Sequence, residues 1–148
     1  MTNEEYMSLA LDLAREAAEH GEVPVGCVIA DAAGRVIGRG RNRREELGDA
    51  TAHAEVEAIR QACAARGDWR LDDCAIYVTL EPCPMCAGAI LNARIPIVVY
   101  GAREEKSGSV GSVIDLFSEN YGFHPKVYGG VLREECAAAL RAFFEQMR

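Results

Sequence analysis

Two cysteines and one histidine are the residues best able to bind a metal ion. Cys83 and Cys86 are separated by two residues and begin a segment that favours a helix. On a helix this spacing places both sulfur atoms on one face, and the unpaired N–H groups of a helix N-terminus lower thiol pKa values. A lone pair of this spacing is equally typical of a redox pair. His53, at the start of another helical segment, supplies a third ligand and favours zinc.

The number of ligands indicates which kind of zinc site to expect. Three protein ligands leave the fourth tetrahedral position open to water, as in catalytic sites, whereas a structural site takes a fourth cysteine or histidine. Cys74 and His20 are the nearest spare candidates, and neither has motif spacing. We therefore predict a catalytic site.

Glu55 is a charged residue at a position where the sequence predicts apolar surroundings. On an ideal helix residues two apart point about 200° apart, so His53 and Glu55 are not expected to be ligands together. Glu55 instead falls on the flank of the apolar stripe of its helix, where a carboxylate is unusual without a partner or a task. We interpret Glu55 as a proton shuttle between the attacking water and the leaving group.

Periodicity and stop signals predict the elements that position these residues. Residues at helical spacing predict four helices, at 4–19, 52–66, 82–93 and 132–147. β-rich runs predict five strands, at 25–30, 36–40, 75–80, 97–100 and 126–130. The polar segment 101–122 is expected to be a loop with a short helix near 113–117. The apolar stripe of the second helix is expected to consist of Ala52, Val56, Ile59 and Cys63.

This order of elements predicts an α/β fold. Strand–helix–strand units with short joins imply a partly parallel sheet covered by helices on both faces, and the opening hairpin makes the sheet mixed. The sequence contains no repeat, low-complexity tract or linker-like stretch, so we expect residues 1–148 to form a single domain.

Composition narrows the class of protein. The chain is 49% hydrophobic and 26% charged, which is typical of globular proteins. No apolar run approaches the roughly 20 residues of a membrane-spanning helix. The N-terminal segment is acidic where a secretory signal would be basic, so we expect a cytoplasmic protein in a reducing compartment. Cys27, Cys63 and Cys136 are then expected to be buried free thiols.

The charge distribution leaves two interpretations of one segment. The net charge of −7 argues against nonspecific nucleic-acid binding. The segment 35–44 nevertheless contains five arginines and no acid. It is either a local phosphate-binding patch or a solvated turn between strands. The candidate phosphate contacts are Arg35, Arg39, Arg41, Arg43 and Arg44.

The segments His53-Ala54-Glu55 and Pro82-Cys83-Pro84-Met85-Cys86 match a known signature, H-x-E followed by P-C-x-x-C. By this signature the chain resembles the zinc-dependent cytidine and deoxycytidylate deaminase superfamily. Further segments are similar to bacterial tRNA-specific adenosine deaminases: 22–26, 41–42, 51–55, 77–83, 85–90, 101–103, 111–112 and 135–144. The resemblance covers nearly the whole chain.

The resemblance implies a fold, an activity and partners. The fold would be the three-layer α/β/α cytidine-deaminase-like fold with a mixed five-stranded sheet. The enzyme would be a homodimer with one Zn²⁺ per subunit, and it would convert the wobble adenosine of a tRNA anticodon, such as that of an arginine tRNA, to inosine. His53, Cys83 and Cys86 would bind zinc, with Glu55 as acid and base. The implied substrate-binding residues are Val25, Asn42, Ala54, Glu81, Pro82 and Glu104.

Within that implied set, Glu104 departs from the family pattern. The family commonly has aspartate at this position, which faces the RNA.

Two other functions share some of these features. A deaminase of a free base or nucleoside, such as guanine or cytosine, would use the same zinc residues and would fit the negative charge better. A zinc-stabilised interaction module would use only the ligands. Glu55 argues against the second alternative, because structure alone does not require that acid.

Overall fold

A computed structural model describes residues 1–147 of the chain, with a mixed sheet between two layers of helices. The α-helices are α1 (Asn3–Glu19), α2 (Arg44–Leu47), α3 (Ala54–Arg66), α4 (Pro84–Ala93) and α5 (Arg133–Gln146). The strands are β1 (Gly26–Ala30), β2 (Val36–Arg41), β3 (Ala75–Leu80), β4 (Ile97–Ala102) and β5 (Lys126–Tyr128).

The sheet brings several strand ends to one edge. Its order is β2-β1-β3-β4-β5. The β1 strand is antiparallel to β2 and β3, whereas β3, β4 and β5 run parallel. The start of β1 therefore lies beside the ends of β2, β3 and β4, as three registered pairs show: Gly26–Arg41, Cys27–Val78 and Leu80–Ala102. The predicted mixed five-stranded sheet is confirmed.

Side chains of the central strands alternate between two apolar clusters. Ile76 and Val78 of β3 pack in the cluster that holds Ile90 of α4, while Tyr77 packs with Met7 of α1 on the other face. Fully burying such a side chain contributes about 1.5–3 kcal/mol. The two clusters confirm that helices cover both faces of the sheet.

The buried face of α3 differs from the predicted apolar stripe. Its buried residues are Ala54, Glu55, Ala58 and Ala62, whereas Val56, Ile59 and Cys63 are only half-buried. The cause lies in β2, because a Cβ on Gly40 would lie 2.2 Å from the carbonyl oxygen of Ala54. Glycine opposite alanine lets the helix and strand backbones come close, so small residues face the sheet.

Other boundaries also differ from the prediction. The second and third predicted helices each begin two residues later than expected, at Ala54 and Pro84. The four-residue helix α2 was not predicted, and the expected helix near 113–117 is a 3₁₀ turn at Leu116–Ser118. These short elements lack the periodicity from which longer helices are recognised.

The six cysteines form no disulfide. All six are free, and Cys27, Cys74, Cys86 and Cys136 are buried. Cys63 is half-buried, so the expectation of full burial was wrong for that residue. In the part of the chain that the structure describes, no helix has the length and apolar character needed to cross a membrane.

Candidate active site

A cavity of about 200 Å³ lies where the start of β1 meets the ends of β2, β3 and β4, and the loops at these strand ends surround it. His53, Glu55 and Cys83 line it together with five of the residues implied to bind substrate: Val25, Asn42, Ala54, Glu81 and Glu104. Pockets for drug-sized ligands usually measure roughly 300–1,000 Å³. The cavity is therefore suited to one small group, such as a single ring system.

His53 precedes the helix rather than beginning it. It is the N-cap residue of α3 and has an extended backbone, with φ −81° and ψ 154°. The angle of about 200° applies only within a regular helix, so it does not separate His53 from Glu55. Both side chains line the same cavity. The prediction that His53 lies within the helix was wrong.

Cys83 has the same position on its own helix. It is the N-cap of α4, with φ −76° and ψ 175°, and Pro84 occupies the first turn as predicted. Cys86 lies within the helix and is buried. A proline in the first turn loses no hydrogen bond there, because the first N–H groups have no partner within the helix. Both ligand-bearing helices thus point their N-termini at the cavity.

The three candidate ligands form one cluster. Their donor atoms all lie within 4.8 Å of one another, and Nδ1 of His53 is 3.6 Å from the sulfur atom of each cysteine. Zn–S bonds of about 2.3 Å, Zn–N bonds of about 2.0 Å and tetrahedral angles imply N···S separations of about 3.5 Å. The residues present fit zinc, both in donor chemistry and in spacing.

The environment shifts the pKa values of these groups. The Cys86 thiol and then His53 lower the pKa of Cys83 to about 4, whereas the same contact and burial raise the pKa of Cys86, so Cys83 is the thiolate of the pair. Burial raises the pKa of Glu55 to about 7. A carboxyl group with that pKa both accepts and donates a proton near neutral pH.

Asn42 is fixed in the cavity wall by its own amide group. It is buried, directly after the end of β2. Its side-chain oxygen accepts a hydrogen bond from the N–H of Arg44 at 3.2 Å, and its side-chain nitrogen donates to the carbonyl of Val23 at 3.4 Å. These contacts hold the amide plane in one orientation.

Three of the implied substrate residues have contacts of other kinds. Pro82 is buried but is not in the cavity lining, and its carbonyl accepts a hydrogen bond from the N–H of Ser109 at 2.9 Å. Glu104 lines the cavity, and its carboxylate accepts from the N–H of Lys106 at 3.0 Å. Glu81 lines the cavity too, but its carboxylate is engaged by backbone groups of the 104–112 segment.

Three of the five arginines proposed as phosphate contacts form ion pairs with acidic side chains, and two form none with any residue that the structure describes. Arg35 pairs with Asp31, while Arg41 and Arg43 both pair with Glu46. Within residues 1–147, Arg39 and Arg44 form no ion pair, and of the five arginines only Arg44 lines the cavity. Three of the five arginines are therefore engaged by acids, which favours the solvated-turn interpretation over a phosphate-binding patch for those three. Arg44 is the arginine left for a ligand in the cavity.

Sequence reasoning did not assign Val23, Leu80 or Ser107 to the site, although all three line the cavity. Leu80 is next to Glu81 and Val23 lies two residues before Val25, so their positions at the end of β3 and shortly before β1 could have indicated them. Ser107 lies in the polar 101–122 segment, where no periodicity or spacing indicates which residue turns inward.

Known proteins are similar to this chain over nearly its whole length. A "tRNA-specific adenosine deaminase" from Agrobacterium fabrum is 50% identical over 144 residues, covering 97% of this chain and 94% of that protein. The chain spans only about a quarter (24% and 27%) of the length of the first curated relatives it matches, two "tRNA(Ile)-lysidine synthase" proteins from Deinococcus radiodurans and Deinococcus deserti.

Solved structures extend the likeness to the fold. A chain from structural studies of A-to-I editing by tRNA:A34 deaminases superposes with a TM-score of 0.88 at 50% identity, covering 92% of this chain and 99% of that chain. A guanine deaminase from Bacillus subtilis has a TM-score of 0.68 at 35% identity, with coverages of 98% and 95%. The model of the cytidine and deoxycytidylate deaminase zinc-binding region matches residues 1–102, so the chain belongs to that family of zinc-dependent deaminases.

Proposed function

We propose that this chain deaminates the wobble adenosine of a tRNA anticodon to inosine. The observation that carries the proposal is the cluster of His53, Cys83 and Cys86 beside Glu55 in a cavity of about 200 Å³. Similarity over nearly the full chain to tRNA-specific adenosine deaminases supports adenosine in RNA as the substrate.

The reaction exchanges the adenine amino group for oxygen, so water enters at C6 and ammonia leaves. His53, Cys83 and Cys86 would hold zinc, which would lower the pKa of water and so supply a nucleophile at neutral pH. Glu55 accepts a proton from the attacking water at a carboxylate oxygen, donates it to ring nitrogen N1, and then moves the second water proton to the leaving amine. Its raised pKa, about 7, suits both directions of transfer.

Residues of the cavity wall bind and orient the base and its backbone. The fixed amide of Asn42 offers a hydrogen-bonding edge to the nucleoside, while the exposed guanidinium of Arg44 is placed to meet an adjacent phosphate. Glu104 and Ser107 form another part of the wall. An anticodon loop is already partly unstacked, which lowers the free-energy cost of extruding one adenosine.

The finer assignments are a homodimer, an arginine tRNA substrate and a cytoplasmic location. Exposed apolar side chains near the site support a second copy of the chain: Met85, Val113 and Ile114 are 36%, 55% and 47% exposed. The arginine tRNA and the location rest on the resemblance to bacterial tRNA deaminases and on the reducing conditions that six free cysteines favour.

A deaminase of free guanine is the second candidate. The likeness to a guanine deaminase and the net charge of −7 favour it, because a free base needs no phosphate contacts.

One assay separates the two candidates. The zinc-loaded protein is incubated with an arginine-tRNA anticodon stem-loop carrying a wobble adenosine, and inosine is measured by mass spectrometry beside ammonia release from free guanine, cytosine and adenine. Inosine in the stem-loop alone supports the tRNA function. Ammonia from a free base with no inosine would overturn it, and Glu55→Gln controls for uncatalysed hydrolysis.

A further inference from the structure

Two fully buried carboxylates, Glu22 and Glu81, are not used in the chemistry described above. They are 1% and 2% exposed. Within the part of the chain that the structure describes, neither forms an ion pair. Burying a carboxylate is costly unless hydrogen bonds replace its water, so the groups that donate to these two side chains indicate what each carboxylate does.

Glu22 holds the segment that contains α2. Its oxygens accept hydrogen bonds from the N–H of Glu45 at 3.1 Å and of Glu46 at 2.6 Å. Both donors lie in the first turn of α2, whose free N–H groups favour an anion. Arg44 immediately precedes these donors in the chain and Asn42 lies two residues before Arg44, and both residues line the cavity. We call 42–47 the α2 wall.

Glu81 holds the segment after β4 in the same manner. One carboxylate oxygen accepts from the N–H of Glu104 at 3.2 Å and from the Ser112 hydroxyl, and the other accepts from the N–H of Val110 at 3.2 Å and of Ser112 at 3.0 Å. Gly108 lies directly on the carboxylate, since a Cβ there would be 2.5 Å from its Cδ. This segment, 104–112, contributes Glu104 and Ser107 to the cavity, and we call it the β4 wall.

We propose that Glu22 and Glu81 are positioning residues, each of which fixes one wall of the cavity and thereby sets the affinity for the substrate. The proposal rests on the proposed function of the cavity. It explains why each carboxylate is satisfied almost wholly by main-chain N–H groups of one wall. It also assigns Glu81 a role different from direct substrate binding, because its oxygens already have partners.

The variants Glu22→Gln and Glu81→Gln test the proposal, and each is the matched control for the other. The amide keeps the shape of the side chain but turns one acceptor oxygen into a donor facing main-chain N–H groups. Amide hydrogen exchange of the zinc-loaded proteins, without substrate, is measured first. In Glu81→Gln the N–H groups of Val110 and Ser112 should exchange about tenfold faster, while Glu45 and Glu46 keep their wild-type rates. In Glu22→Gln the pattern should be reversed.

The kinetic measurement separates positioning from general destabilisation. For each variant we expect KM for the stem-loop to rise about tenfold, kcat to stay within about threefold, and zinc content to stay at one per chain, because the ligands and Glu55 are unchanged. Ser112→Ala removes one donor and keeps the charge, so it serves as a milder variant if Glu81→Gln does not fold. It should raise KM less.

Several outcomes would overturn the proposal. Unchanged exchange at the named amides, faster exchange spread equally over both walls, or a fall in kcat with an unchanged KM would each do so. If wild-type protein turns over a free base instead of the stem-loop, the proposed function fails. KM is then measured with that base, and the exchange result stands independently.

Discussion

The metal cluster and the walls of the cavity are built in different ways. His53 and Cys83 are the N-cap residues of two helices, and Cys86 lies in the first turn of the second helix, so each ligand belongs to a short stretch of sequence. The α2 wall, a one-turn helix with its preceding residues, and the irregular β4 wall are held by carboxylates 23 to 31 residues away in the chain. The residue types and spacings that identify the reacting groups are therefore contained in short motifs, whereas no such motif indicates the carboxylates that fix the walls.

The largest effect is expected from removing a metal ligand. Cys86→Ala should abolish measurable deamination and lower zinc content well below one per chain, because two remaining ligands hold zinc weakly. Activity and metal content, the latter by mass spectrometry, are measured on the same preparation. The matched control is Cys74→Ala, also a buried cysteine, which should keep its zinc. Equal metal loss in both variants would show that folding, not ligation, was affected.

Glu55→Gln should separate catalysis from metal binding. The amide cannot transfer the proton, so we expect kcat to fall about 10²- to 10⁴-fold, while zinc content stays at the wild-type value. Stopped assays with the stem-loop and metal analysis check both parts. Full activity would show that Glu55 does not transfer the proton. Loss of the metal would show that Glu55 instead supports the metal cluster.

Gly40→Ala should disturb the cluster from outside the cavity. Its Cβ would lie 2.2 Å from the Ala54 carbonyl and 2.7 Å from the Ala58 nitrogen, so α3 must shift and carry His53 with it. Overpacking of this kind typically costs about 1–3 kcal/mol of unfolding free energy. Urea denaturation measures it. Gly88→Ala in α4 is the control, since a Cβ there meets nothing within 4 Å, and that variant should be as stable as wild type or more so.

Features of the fold and the site could be predicted from the sequence where their signal is local, and could not where they depend on contacts distant in the chain. Residue type and spacing indicate metal ligands and an acid, and they were enough to select His53, Glu55, Cys83 and Cys86. The mixed sheet also followed from the order of elements. The zinc-ligand cluster and the mixed sheet, which the structure confirms, both depend on signals contained in short windows of sequence.

The failures concern features set by distant partners. Large apolar residues were assigned to the buried face of α3, but glycines in β2 make alanine the residue that fits there. Glu22 looked like one acid among several in an acidic segment, because its hydrogen-bond donors lie 23 and 24 residues later. The charge count of 35–44 did not reveal that Arg41 pairs with Glu16 and Glu46, or that Arg43 pairs with Glu46.

The smallest effect is expected from Arg44→Gln, which changes the α2 wall and leaves the metal cluster intact. If Arg44 meets a phosphate, the variant should bind the stem-loop a fewfold more weakly, and the slope of log K against log salt should fall by about one charge. Arg35→Gln is the matched control, because Arg35 is already paired with Asp31. Binding is measured between about 50 and 200 mM salt. An equal change of slope in both variants would show that the whole arginine segment acts as a diffuse patch, whereas no change in either would place the phosphate contact elsewhere.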